Sequence, residues 1–173
     1  MKFSATLFAV TALVAGVAAD YATVKTDVLR IKTDVAKLYQ SLKVTSGTSY
    51  SEAIAVDSAA RALNSGLQKA NTDAKAVSSF TVIQAKALLT VLNSTYTNVS
   101  LISKRLIVLE PKFKSIGVAS VAKLDIGTIA NSTKIFSATL VSKAPSSVKP
   151  SASALASKYN KALASALAAY RND

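Results

Sequence analysis

The sequence predicts an all-α fold: a five-helix bundle with room for an elongated hydrophobic cavity, preceded by a cleaved signal peptide. Three observations predict it. Only 5 of the 173 residues are glycine and 3 are proline, so few positions break a helix. Apolar residues return at steps of three and four throughout, and no stretch alternates at period two. There is no cysteine, so a chain that opens on an export signal forgoes disulfides and must be held by side-chain packing.

Residues 1–19 form the signal. Lys2 supplies its positive end, Phe3 to Val14 its apolar run, and Val17-Ala18-Ala19 the small residues of a cleavage site. The run is short for a membrane span, so the mature chain is expected to start at Asp20. A single helical-bundle domain is expected over 20–173, long enough to bury a genuine core. No second apolar run could cross a bilayer, and Ala168 to Asp173 is not a hydrophobic tail.

The first helix is expected from Asp20 to Val44, with Val24, Val28, Ile31, Val35, Leu38 and Leu42 as its apolar stripe. Asp27 and Asp34 share one face, with Arg30 and Lys37 among their neighbours; a solvated, salt-bridged face explains them better than a catalytic carboxylate pair. Ser46-Gly47-Thr48 ends this helix. Ser49-Tyr50-Ser51-Glu52 reads as a capping box that opens the second. The stripe of that helix, Ala53, Val56, Ala60, Leu63, Leu67, Ala70, Ala74 and Val77, is thin because alanine dominates it. Close helix approach explains such a stripe, and so does space left between helices.

A third helix begins near Thr81 and carries Ala85, Leu89, Leu92, Tyr96, Val99, Leu106 and Leu109, with further apolar surface at Ile83, Leu88, Leu101, Ile102, Ile107 and Val108. Pro111 is expected to end or kink it. A fourth covers Val118 to Lys143, with Ala122, Ile126, Ile129, Phe136 and Leu140 inward. Pro145 and Pro150 bracket a turn. The last helix, Ser151 to Tyr170, presents Leu155, Tyr159, Leu163, Ala166, Leu167 and Tyr170.

Composition narrows the chemistry. With no His, no Cys and nine scattered acidic residues, the chain lacks the commonest general base, every thiol nucleophile and the usual zinc ligands. It is read as no enzyme, with no cofactor and no metal. The net charge of +12 falls to +11 when Lys2 leaves with the signal, and it is uneven: +3 over residues 20–103 against +8 over 104–173. Single lysines without aromatic interleaving argue against nucleic acid. An anionic surface, fatty-acid carboxylates or plain solubility account for the charge. Sequons at Asn93, Asn98 and Asn131 fit a secretory route and mark glycosylation positions.

Thr26-Asp27-Val28 and Thr33-Asp34-Val35, Asp57-Ser-Ala-Ala-Arg-Ala-Leu63, Lys69-Ala-Asn-Thr-Asp-Ala-Lys75, and Leu109-Glu-Pro-Lys-Phe113 with Gly117 and the alanine-rich closing helix carry a resemblance. Over essentially the whole mature chain they resemble the fungal hydrophobic surface-binding protein A family, also described as antigenic cell-wall galactomannoproteins. The resemblance implies a secreted or wall-associated bundle that binds fatty acids or apolar surfaces. In some members it implies recruitment of an esterase to hydrophobic material. It implies no catalytic residue here. The inward stripes of four helices give the expected cavity positions: Ala60, Leu63, Leu67, Leu89, Leu92, Ile129, Phe136 and Leu163. A wall mannoprotein with a filled core, and an adaptor that holds an esterase or cutinase on a hydrophobic substrate, are the competing readings.

Overall fold

A computed structural model describes the backbone of residues 4–173 and the side chains of residues 21–173. The expected signal and its cleavage before Asp20 lie outside the described side chains. Five helices make up the fold: α1 (Ser4–Val44), α2 (Tyr50–Ala76), α3 (Val82–Ser115), α4 (Ala119–Lys143) and α5 (Lys149–Ala169). They close into a ring. α1 packs on α2, α2 on α4, α4 on α5, α5 on α3, and α3 back on α1, while α3 and α4 meet only sparingly. The stripe of each helix turns toward the ring axis and joins a single apolar cluster.

The connections show how local chemistry sets the boundaries. Ser49 caps α2 without a side-chain bond to a helix amide, its hydroxyl meeting that of Ser51 at 2.9 Å instead, so the expected capping box is not formed. Glu52 instead reaches back past it, accepting from the Ser46 amide at 2.8 Å and the Thr45 hydroxyl at 2.9 Å. Those donors, the Ser46 hydroxyl foremost, hold the Glu52 carboxyl below its usual range. The chain's capping box is at Thr81, whose side chain accepts from the Gln84 amide while Gln84 accepts from the Thr81 amide. Gly47 takes φ +79°, and a Cβ there would come within 2.7 Å of Leu109, so the turn admits no larger residue without displacement.

The helix boundaries at two prolines differ from the expectation. Pro111 does not end α3 but lies inside it, and the helix runs on to Ser115. Burial of Leu109 and Phe113 on either side holds that turn against the cost of one missing backbone bond. Pro150 sits in the first turn of α5 rather than outside it, where its lack of an N–H costs nothing.

Part of the basic C-terminal half is structural. Arg105 donates to the carbonyls of Leu42 and Thr45 at 3.0 and 2.7 Å, and Lys112 to that of Ser46 at 2.9 Å, which satisfies the open end of α1. Lys123 binds the carbonyls of Arg171 and Asp173, and Lys114 pairs with the Asp173 side chain at 2.8 Å, fastening the C-terminus.

For Asp27 and Asp34 the expected salt bridges form, Asp34 pairing with Arg30 and Lys37 at 3.7 Å each, but both acids are buried, at 5% and 6% exposure, rather than solvated. Lys69 of α2 reaches Asp27 across the seam and Asp73 on its own helix. Burial, then the neighbouring Asp73, raise the Asp27 carboxyl, and the Lys69 ammonium lowers that of Asp73. Asp34 lies against Gly66, where a Cβ would stand 3.4 Å from its carboxylate, an ordinary contact.

Candidate functional site

A ring of five helices holds opposite side chains farther apart than a square of four does, and residues of leucine size do not close the gap. The axis is left with a narrow slot of about 80 Å³. Helix α1 lines it with Ile31, Val35 and Leu38, and α2 with Leu63 and Leu67. Leu89, Leu92, Val99, Ile102 and Leu106 come from α3, Ile129, Phe136 and Leu140 from α4, and Leu155, Tyr159 and Leu163 from α5. Along α4 the lining extends from Ile126 to Val141, about 22 Å at 1.5 Å per residue. A smaller hollow of about 20 Å³ under Phe80, Ala85 and Val148 shares Leu89, Leu92 and Leu140 with the slot and continues it toward the α4–α5 turn.

Polar atoms in the lining belong to Thr133, Ser137 and Tyr159, and no charged residue takes part. The Tyr159 hydroxyl donates to the Leu92 carbonyl at 2.7 Å, and its ring stands edge-on to Tyr96 with centroids 5.4 Å apart. Burial pushes the Tyr159 phenol well up, so it keeps its proton. Ser137 donates to the Lys134 carbonyl at 3.1 Å. Lys158 stands 6.0 Å over the Tyr96 ring at the surface.

Seven of the eight residues expected at a cavity line this slot: Leu63, Leu67, Leu89, Leu92, Ile129, Phe136 and Leu163. Ala60 does not; it is buried at 4% exposure in the core away from the slot. Leu63 and Leu67 of the same stripe do line it, so the difference lies in position along the helix and not in alanine's size alone. The alanines that do line the slot are Ala152 and Ala156 of α5. The expectation missed the whole α1 contribution, although the α1 stripe is the most regular in the sequence. It also missed Leu155 and Thr133. Among the sequons, Asn93 and Asn131 are exposed and Asn98 is half-buried, while the hydroxyl residues Thr95 and Thr133 are buried.

A second carboxylate cluster lies between α2 and α4. Asp57 pairs with Arg61 at 2.9 Å, and burial together with the Asp57 carboxylate pushes Asp125 up to about 6. Beside it is a groove of about 140 Å³ edged by Tyr50, Ile54 and Val121, which are 63%, 60% and 42% exposed. No group of side chains suited to hold a metal ion converges among the described residues, and none of their helices is long and apolar enough to cross a membrane.

An all-α ring around an apolar slot, with polar groups at its margin, is the architecture of proteins that hold small hydrophobic ligands. The hydrophobic surface binding protein A family model matches residues 21–142, and the chain belongs to that family. No curated protein matches the chain by sequence alone. Among solved structures, Afmp4p in complex with palmitic acid superposes with a TM-score of 0.82 at 24% identity, covering 87% of this chain and 99% of that one. Ligand binding domain 1 of Penicillium marneffei MP1, complexed with arachidonic acids, gives 0.81 at 16% identity over 87% and 98%. Domain 2 of that protein, with multiple arachidonic acids, gives 0.79 at 13% over 90% and 96%. At these identities the structural likeness speaks for the fold.

Proposed function

We propose that this is a secreted, non-enzymatic protein that binds a long-chain fatty acid along the axis of its helical ring. The observation that carries the reading is the elongated slot, apolar from all five helices and free of charged side chains. It is supported by the family's description and by the fatty acids named with the similar structures. Burying about 15 methylenes at about 0.8 kcal/mol each yields about 12 kcal/mol gross. Ordering the chain and the partners removes several of these, which leaves micromolar affinity. In this reading residues 1–19 are removed, 20–173 form one domain, Leu63, Leu67, Leu89, Leu92, Ile129, Phe136 and Leu163 touch the acyl chain, and Asn93, Asn98 and Asn131 carry glycan outside the cell or in its wall.

Titration with a fluorescent long-chain fatty acid, followed by native mass spectrometry of the complex, tests it. Saturable binding in the micromolar range is the expected result. No saturable binding at tens of micromolar overturns it in favour of a structural wall mannoprotein.

A second reading is favoured by Tyr50, Ile54 and Val121 standing exposed together on one edge, with Leu124, at 65% exposure, one turn beyond. Such a patch suits adsorption to an apolar solid and the positioning of an esterase there. Replacing Ile54 and Leu124 with serine would abolish adsorption while leaving fatty-acid binding intact.

A further inference from the structure

The slot is too small as it stands for what the fatty-acid reading, on which this inference rests, would place in it. A cavity of roughly 150 Å³ accommodates a single benzene ring, and this one measures about 80 Å³. An acyl chain therefore enters only when two helices of the ring part, and the five seams differ in what parting would break.

Four seams are bolted. Lys69 pairs with Asp27 across α1/α2. Arg105 ties α3 to the end of α1. Ser132 and Thr139 of α4 donate to Asn64 and Asn71 of α2, both at 2.7 Å. Tyr159, Ser103 and Tyr170 join α5 to α3 through the carbonyls of Leu92, Ala162 and Leu106. Between α4 and α5, among the described residues, the tie lies at one end: Lys123 of α4 donates to the carbonyls of Arg171 and Asp173 just past α5, and no side-chain hydrogen bond or ion pair joins the two helices from there to the α4–α5 turn. Small groups meet the slot there: Ser137 on α4, Ala152 and Ala156 on α5. Ser137, Val141 and Ala156 line the slot and are half-exposed, so it approaches the surface at this seam, as it does at Leu89, Leu92 and Tyr159 of the α3/α5 seam, which the Tyr159 bond holds shut.

Just inside stands Thr133, one turn from Ser137. It lines the slot at 8% exposure, and its hydroxyl has no hydrogen-bond partner in the protein, whereas the adjacent Ser132 is committed to Asn64. With no partner in the protein, that hydroxyl keeps its hydrogen-bonding capacity open to a polar atom that the slot receives.

We propose that the α4/α5 seam is the lateral port through which an acyl chain enters, and that the Thr133 hydroxyl bonds the terminal oxygen of the ligand just inside it. The methyl end runs along the axis, and the carboxyl stays by Thr133 and Ser137, in reach of water. No cation is then needed in the lining.

The absence of cysteine makes a clean test. Ser137→Cys with Ala156→Cys introduces one pair across the seam. With the disulfide verified by mass, release of a preloaded fluorescent fatty acid in stopped flow should slow by about tenfold or more, and reductant should restore the original rate. An unchanged rate overturns the port. Ala156→Phe serves where the pair does not close: entry and release should both slow by about tenfold, whereas a loss of affinity alone would speed release, and unchanged rates again overturn the port. For the anchor, Thr133→Val should weaken binding about three- to tenfold with an equal or higher Tm. Thr133→Ser should bind as the parent does, all three measured after enzymatic removal of N-glycans, because the valine variant also loses the Asn131 sequon. Equal affinity of the valine variant overturns the anchor. Parent protein that binds no probe overturns the fatty-acid reading and the port with it, whereas tight binding with unchanged exchange in the locked variant overturns the port alone.

Discussion

Helix α4 meets two neighbours and is held differently by each. Against α2 it carries two hydroxyl–amide bonds, Ser132 to Asn64 and Thr139 to Asn71, seven residues apart on both helices. Against α5 it offers aliphatic atoms and small residues. The paired bonds fix the register of α4 on α2, because a slip of one turn would leave polar groups on both helices unpaired. On α5 a shift of the same size breaks no polar contact along the stretch that lines the slot, since Lys123 ties α4 only to the residues just past the end of α5. The lesson is that bolts, rather than buried area alone, decide which seam of an apolar ring can open without unfolding the rest.

The largest expected effect lies between the two seams. Phe136 faces the axis at 3% exposure, and Phe136→Ala should cost about 3–5 kcal/mol in denaturant unfolding. A loss below about 1 kcal/mol would show that the slot already leaves the ring loosely packed, and that the free side of α4 extends to its middle.

Next comes the direct contrast. Thr139→Val strands the Asn71 carbonyl and should cost about 1–2 kcal/mol. Ala156→Ser, on the opposite seam, should change stability by less than about 0.5 kcal/mol. Equal losses at the two positions would erase the difference between the seams.

Much of this architecture was legible in the sequence, for definable reasons. Heptad stripes place five helices because burial repeats at the helical period, and the ends at Val44, Thr81 and Lys143 carry local signals. Which stripe residues reach the axis is a different matter. Ala60 and Leu63 belong to one stripe, yet only the longer side chain touches the slot, and this depends on the position of the neighbouring helices. Thr133 reads as part of a sequon and falls off the apolar pattern, so periodicity passes over the lining residue with a free hydroxyl. Glu52 matches a capping spacing but bonds two loop residues farther back, because the Thr45–Ser46 turn presents better-placed donors. The unbolted seam has no sequence signature, since it is defined by bonds that the other four seams possess.

The α2/α4 seam also has a weak end. Asp125 of α4 faces Asp57 of α2, and burial and that carboxylate push it from 3.8 up to about 6. Its folded value is raised, so between about pH 4 and 6 the folded chain holds more protons than the unfolded one. Stability therefore falls as pH rises through this window. Asp125→Asn should be more stable than the parent by about 1–2 kcal/mol at pH 7 and indistinguishable from it at pH 4. A gain of the same size at both values would assign the effect to packing instead of charge.

The smallest effect in free energy decides most about the comparison. Gln68, Lys134 and Ser157 are exposed on α2, α4 and α5, and in a chain without native cysteine each accepts a spin label through a single Cys substitution. Surface labels of this kind should alter stability by less than about 0.5 kcal/mol. On saturation with fatty acid, the separation between labels at 134 and 157 should grow by about 2 Å or more as α5 yields. The separation between labels at 68 and 134 should stay fixed, because the Asn64 and Asn71 bonds carry α4 with α2. Growth of both distances would mean that the whole ring dilates and the bolts only set register. Growth of the 68–134 distance alone would move the opening to the α2 side of α4 and reverse the comparison.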